Sequence, residues 1–332
     1  MLGRALGFSD PEVVRVLKES FIPVVGDDWY QRRRQDDVGR FFRSVVDQTW
    51  KAGNWEPGGG NDRQGIYCFT ADGKMLTEMK NVGGNPREVR QVLALALRAW
   101  NGLPADVRRP GATSIPDPSL DPAYHRPVPA GAIVLREFQR GLKRTDGRLE
   151  AHEFTFRDTP VGAQRDHVWI LEKEWKAIVP ANPAPGTAVE LPASLVSRLA
   201  RFHLVEALIG EPGVWGRDHI REARLTATVE DVTAQAVRLR LEGRVRLSTE
   251  PDPSASRCGF DGRLAGLLVY DRVKASFERI DMAAVGDTWG ALNPHNGNSR
   301  PGRNLIGFWF ERAKGPTIPP QGAREVQSYL NP

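Results

Sequence analysis

Apolar residues recur along this chain with two periods. In residues 38–46, Val38, Phe41, Phe42, Val45 and Val46 follow the i, i+3, i+4, i+7, i+8 spacing that places them on one helical stripe. A second stripe, Val89, Val92, Leu93, Ala96, Leu97 and Trp100, follows Asn85-Pro86-Arg87-Glu88, an N-cap with proline at the first helical position. A shorter helix is expected after Ser9-Asp10-Pro11-Glu12, which has capping-box spacing, with Val13, Val14 and Leu17 on its face. Residues 21–25 are expected to form a strand, although Pro23 removes one ladder donor. Residues 66–70 and 75–80 are expected to form a hairpin around Ala71-Asp72-Gly73-Lys74.

Beyond residue 131 the period shortens to two. Strands are expected at 132–138, 153–157, 167–171, 225–229, 237–247, 264–270, 277–282 and 305–311, with a four-residue turn at 271–274. One helix interrupts them, from Ala193 to about Leu204, with Leu195, Leu199 and Phe202 at helical spacing. Residues 103–131 between the two regions carry prolines at 104, 110, 116, 118, 122, 127 and 129, too many for a helix. The expected organisation is α+β: an α/β domain over 1–102, a proline-rich connector over 103–131, and an antiparallel β-rich sandwich or partly closed barrel with one main helix over 132–332.

Composition changes this picture little. A net charge of +5 in 332 residues is too mild to argue for nucleic acid, so a nucleic-acid partner is not expected. No apolar run has the roughly 20 residues of a membrane helix, and no signal peptide is visible, so the expectation is a cytoplasmic protein without membrane contact. Its two cysteines, Cys68 and Cys258, form neither a Cys-x-x-Cys pair nor a disulfide framework.

The order Ser9-Asp-Pro-Glu-Val-Val14, Phe21-Ile-Pro-Val-Val25 and Gly65-Ile-Tyr-Cys-Phe-Thr-Ala-Asp-Gly-Lys74 resembles a thioredoxin-like family over roughly the first third of the chain. The resemblance implies a thioredoxin-like domain, but the redox chemistry does not carry over. The family's Cys-x-x-Cys would fall at or before Met1, and its cis-proline aligns near Gln64. Cys68, inside an apolar strand, is expected to be a structural thiol.

Four constellations offer chemistry. If the helix from Ala193 runs past Glu206, that carboxylate lines up with Leu195, Leu199 and Phe202 and needs a partner. His203 is three residues earlier and His219 can fold back, so His203, Glu206 and His219 are the candidate catalytic or metal-ligating set. The competing arrangement pairs Glu206 with Arg201 or Arg221. Asp166 and His167 are adjacent but on a strand would face opposite ways. Arg238, Arg240, Arg244 and Arg246 share one strand face with Glu242 and are expected to be a solvated surface. The long segment 288–304 offers Trp289, His295, Asn296, Asn298, Arg300 and Arg303 as ligand-binding groups.

The functional expectation is a non-redox protein with a β-rich domain that binds a small-molecule or anionic ligand and needs no cofactor. The alternative is a hydrolase using His203, Glu206 and His219, with or without a divalent metal.

Overall fold

The computed structural model describes residues 7–8, 10–49, 63–80, 85–115, 117–121, 124–156, 159–161, 163–208, 213–292, 300–324 and 326–332. It divides into two compact units, 1–126 and 127–332. None of the described helices is long and apolar enough to cross a membrane.

The first unit contains helices α1 (Pro11–Ser20), α2 (Asp28–Arg33) and α3 (Asp37–Val46), the hairpin β1 (Gly65–Phe69) and β2 (Met75–Lys80), and helix α4 (Pro86–Asn101). Each helix starts on an Asp or Asn whose side chain accepts a backbone N–H: Asp10, Asp27, Asp36 and Asn85. Val89, Val92, Leu93 and Ala96 of α4 pack with Val13 and Cys68 in a small core that Ile66, Leu76 and Met79 border. The expected stripe on α3 is only partly buried: Val45 and Val46 are enclosed, whereas Phe41 is 39% exposed and meets Phe69 edge-on.

Residues 21–25 do not form the expected strand. They have no regular secondary structure, and Ile22, Val24 and Val25 are exposed. No described strand lies beside them, and an apolar run without a ladder partner gains nothing from the β conformation. Among the described residues this unit has only the two-stranded β1–β2 sheet, and the thioredoxin-like arrangement stays a resemblance of sequence.

The proline-rich segment is also more than a spacer. The Asp37 carboxylate accepts hydrogen bonds from the Ser119 N–H and hydroxyl at 2.8 and 2.7 Å, and the Asp36 carboxylate accepts the Asp121 N–H at 2.7 Å. Arg126 stacks over the Tyr30 ring, 4.0 Å from its centroid, and donates to its hydroxyl. Asp36 therefore does three jobs: it caps α3 through the Gly39 N–H, pairs with Arg34, and holds the connector. Gly39 is needed there, because a Cβ would lie 2.2 Å from the Arg34 carbonyl oxygen.

The second unit is built on one nine-stranded antiparallel sheet, not a sandwich of two sheets, and it does not close into a barrel. Its strands are β3 (Ile133–Thr145), β4 (Arg148–Ala151), β7 (Gln164–Ile170), β8 (Ala188–Glu190), β9 (Ile220–Val232), β10 (Ala236–Ser248), β11 (Gly259–Asp271), β12 (Ser276–Trp289) and β13 (Asn304–Arg312). From β8 to β13 they run as a meander; β13 then pairs with β3, whose far edge carries β7 and β4. A separate small hairpin joins β5 (Phe154–Phe156) to β6 (Thr159–Val161). Gly262 and Gly286 stand opposite each other on β11 and β12, and a Cβ on Gly286 would come within 2.5 Å of the β11 backbone. Such close backbone approach is what bends a sheet of long strands.

Alternate residues point to one enclosed face: Leu225, Ala227 and Val229 on β9, Leu239 and Leu241 on β10, Leu264 and Leu268 on β11, Ile306, Phe308 and Phe310 on β13. The arginines of β10 lie on the other face, as expected: Arg240 beside Glu242 and Glu230, Arg244 and Arg246 beside Asp261. Instead of one main helix the unit has short pieces: α5 (Glu172–Lys176), α6 (Ala193–Arg198) continued by a wider π-type turn at Leu199–His203, and α7 (Val326–Leu330).

The aspartate ties give a test of connector docking. Burial alone would raise the Asp36 carboxyl, but Arg34 and the Asp121 and Gly39 N–H groups outweigh it and hold it well below its usual 3.8. Hydrogen bonds from Ser119, followed by Arg40, lower Asp37 to about 2. Groups depressed in the folded state contribute above their unfolded pKa and lose that contribution as pH falls through the folded one. Digestion of the intact chain by a neutral protease at pH 7 should therefore cut residues 117–126 several-fold faster in Asp36→Asn/Asp37→Asn than in wild type. Wild-type protein should become similarly susceptible to an acid protease only as the pH drops below about 3.8.

A buried histidine–carboxylate centre as candidate functional site

On the enclosed face of β3 the inward positions run Ile133, Leu135, Glu137, Gln139, and on β7 they run Asp166, Val168, Ile170. Glu137 and Asp166 are cross-strand partners, so the ladder sets two carboxyl groups side by side in an apolar surface. The imidazole that faces them is His203. The Leu204 N–H bonds to the Leu199 carbonyl, five residues back, and this wider turn buries every residue from Leu199 to His203. The chain then leaves the helix at Leu204.

His203 Nδ1 lies 2.7 Å from Glu137 Oε2 and 3.9 Å from Asp166 Oδ2, while Nε2 lies 2.8 Å from the Tyr329 hydroxyl. Tyr329 accepts a further hydrogen bond from the Trp169 N–H, and Asp166 accepts the N–H groups of His167 and Gln321. The Gln139 amide oxygen accepts the Ala207 N–H and fixes the chain just past the turn. The side chains of His203 and Glu137 are 0% and 2% exposed, and Asp166 retains 10%.

Burial governs the proton affinities. It pushes Glu137 well above the usual carboxyl range. Burial, followed by the neighbouring Glu137 charge, brings Asp166 up to about 7, and burial lowers His203 to about 4. At neutral pH the imidazole is uncharged and protons sit on the carboxyl side. Two hydrogen-bond patterns fit the distances: Tyr329 donating to Nε2 with Nδ1–H donating to Glu137, or protonated Glu137 donating to Nδ1 with Nε2–H donating to Tyr329.

A second buried polar group adjoins the first. Arg198, 0% exposed, pairs with Glu174 at 2.5 Å and donates to the carbonyls of Tyr329, Leu330 and Trp169. Glu174 also accepts from the Ser194 hydroxyl and the Leu171 N–H. This pair anchors the C-terminal segment that presents Tyr329 to His203.

The expected set of His203, Glu206 and His219 does not assemble. Among the described residues, the group of three ligating side chains with donor atoms within 4.8 Å of one another is Glu137, Asp166 and His203. Because the helix ends at Leu204, Glu206 is not on its apolar face; it pairs with Arg300 at 2.9 Å, not with Arg201 or Arg221. His219 Nδ1 accepts the Gly216 N–H at 3.1 Å, with its ring beside Trp215. Asp166 and His167 do face opposite ways, and the carboxylate bonds the His167 backbone, not its ring. Glu137 was within reach of sequence reasoning, since it shares its strand face with Ile133 and Leu135. Tyr329 gave no comparable signal.

Of the expected ligand-binding residues, His295, Asn296 and Asn298 lie outside the described residues. Trp289, Arg300 and Arg303 are described. The Trp289 indole N–H donates to the Ser256 carbonyl at 2.9 Å, and the Arg303 guanidinium stacks on its ring 3.8 Å from the centroid. Compared with protein-family models, with curated proteins and with solved structures, the chain matches none significantly.

Stability measurements should expose the buried pair. Arg198→Met leaves the Glu174 carboxylate buried without a counter-ion and should cost about 3–5 kcal/mol, whereas Glu174→Gln/Arg198→Met together should cost clearly less than the sum of the singles. Tyr329→Phe strands the Trp169 N–H and His203 Nε2 and should cost about 1–3 kcal/mol. Urea denaturation of each variant followed by far-UV circular dichroism checks all three.

Proposed function

We propose that this protein acts by recognition, not by dithiol exchange, and that its second unit binds an anionic small molecule at the β12–β13 end of the sheet. The observation that carries the reading is Arg303 on Trp289. The indole is only 9% exposed and is locked by its bond to Ser256, so it is a rigid platform. The guanidinium lying on it is exposed and has no carboxylate partner among the described residues. A stacked guanidinium has already lost much of its rotational freedom, and its in-plane N–H groups can still donate to a carboxylate or phosphate. Arg300 nearby is instead neutralised by Glu206, so the two arginines are not equivalent.

Support against redox turnover comes from Cys68, which lies on β1, is buried against α4, and whose thiol burial pushes up to about 11. A thiol held in that form does not supply thiolate at neutral pH. The hydrolase alternative is weakened because Glu206 and His219 each stand in other pairings, away from His203.

Titrating the protein with inorganic phosphate and with succinate should quench tryptophan fluorescence saturably. Arg303→Ala should weaken that response by about tenfold or more, in line with loss of one charge-assisted contact. A response that is absent in wild type, or that stays at the wild-type level in Arg303→Ala, would overturn the reading. In an insulin-disulfide assay wild type and Cys68→Ser should both stay at the uncatalysed rate; turnover lost in Cys68→Ser would contradict the non-redox assignment.

A further inference from the structure

We propose that Glu137, Asp166 and His203 form the binding site of one divalent first-row cation of the Zn²⁺ or Mn²⁺ class. This site is separate from the Arg303 surface and does not depend on it. Ligands at about 2.0–2.1 Å from a tetrahedral cation stand roughly 3.3 Å apart. The two distances from His203 Nδ1, 2.7 Å to Glu137 and 3.9 Å to Asp166, bracket that value, so small opposed side-chain shifts admit an ion between them. All three donor atoms already lie within 4.8 Å of one another.

The surroundings have the features of a prepared ligand set. A ladder holds the two carboxyl-bearing residues in register. Backbone N–H groups of His167 and Gln321 fix the Asp166 carboxylate. Tyr329 engages the other nitrogen of the imidazole and sets its orientation, the outer-shell role that ligating histidines need. With Nδ1 on a cation, the ring proton must sit on Nε2 and be donated to the Tyr329 oxygen, and the cation takes the place of the proton shared between Glu137 and Nδ1. Two carboxylates and one dication are electrically neutral together, which removes the cost of enclosing two acids in an apolar face.

The test uses the full chain stripped with EDTA and dialysed. Titration with Zn²⁺, and separately with Mn²⁺, by isothermal calorimetry should show one equivalent, and metal analysis after gel filtration should retain it. Glu137→Gln and Asp166→Asn, each checked for wild-type circular dichroism, should lose at least tenfold in affinity. Absence of a stoichiometric site in wild type, or affinity unchanged in both variants, would overturn the proposal. If neither variant folds, ¹⁵N spectra of wild type decide. Zn²⁺ should move the His203 Nδ1 resonance to a metal-bound position with the proton on Nε2, and unmoved His203 ring nitrogens would overturn the proposal.

Discussion

The second unit depends on one buried guanidinium. Arg198 lies at the end of α6 with no solvent to hydrate it, so its charge must be met by protein. Glu174 supplies the counter-charge, and the carbonyls of Trp169, Tyr329 and Leu330 accept further hydrogen bonds. Those carbonyls belong to the exposed edge of β7 and to the C-terminal helix, so the same side chain covers a sheet edge and docks the tail. Edge strands carry free N–H and C=O groups that invite other chains; at Trp169 the carbonyl goes to Arg198 and the N–H to Tyr329. The histidine centre follows from this arrangement, because Tyr329 reaches His203 only with the tail in place.

Local features were the legible ones. The β1–β2 hairpin and α4 follow from Asp72-Gly73 and from a capped 3.6-residue repeat, neither of which needs a distant partner. Period-two alternation marked the apolar face of β9 and the arginine face of β10, since a half-buried strand shows its orientation in its own residues. It could not say whether the strands make one sheet or two, because that is decided by pairings between distant segments. Residues 21–25 mark the limit of apolar composition as a guide: with no described strand to complete a ladder, Ile22, Val24 and Val25 stay wetted and only Phe21 packs against the small core.

The candidate site shows how one inserted residue spreads error. Counting at an α-helical period from Leu195 aims Glu206 inward. The π-type turn adds a residue to one turn, so His203 enters the core and the helix stops before Glu206. The wheel that predicted a carboxylate among Leu195, Leu199 and Phe202 therefore aimed the wrong acid inward, while His203, three residues earlier, is the one that the turn buries. The acids that meet His203 come from β3 and β7, whose pairing with each other no local pattern encodes. In the first unit Asp36 caps α3 with one oxygen, while its second oxygen secures a segment 85 positions away.

The pairing of β13 with β3 has a consequence for how the second unit comes into being. Ile306 sits opposite Gly141, so the first long strand of the unit pairs with one synthesised more than 150 residues later, on the order of the whole unit's length. Until β13 has been synthesised, one edge of β3 and the apolar faces beside it have no cover, and the tail that carries Tyr329 comes later still. Contacts this far apart in sequence make for slow folding, because chain closure precedes any gain from packing. The unit is therefore completed late, and nascent chains that stop short of β13 are the species most exposed to misassembly and to chaperones.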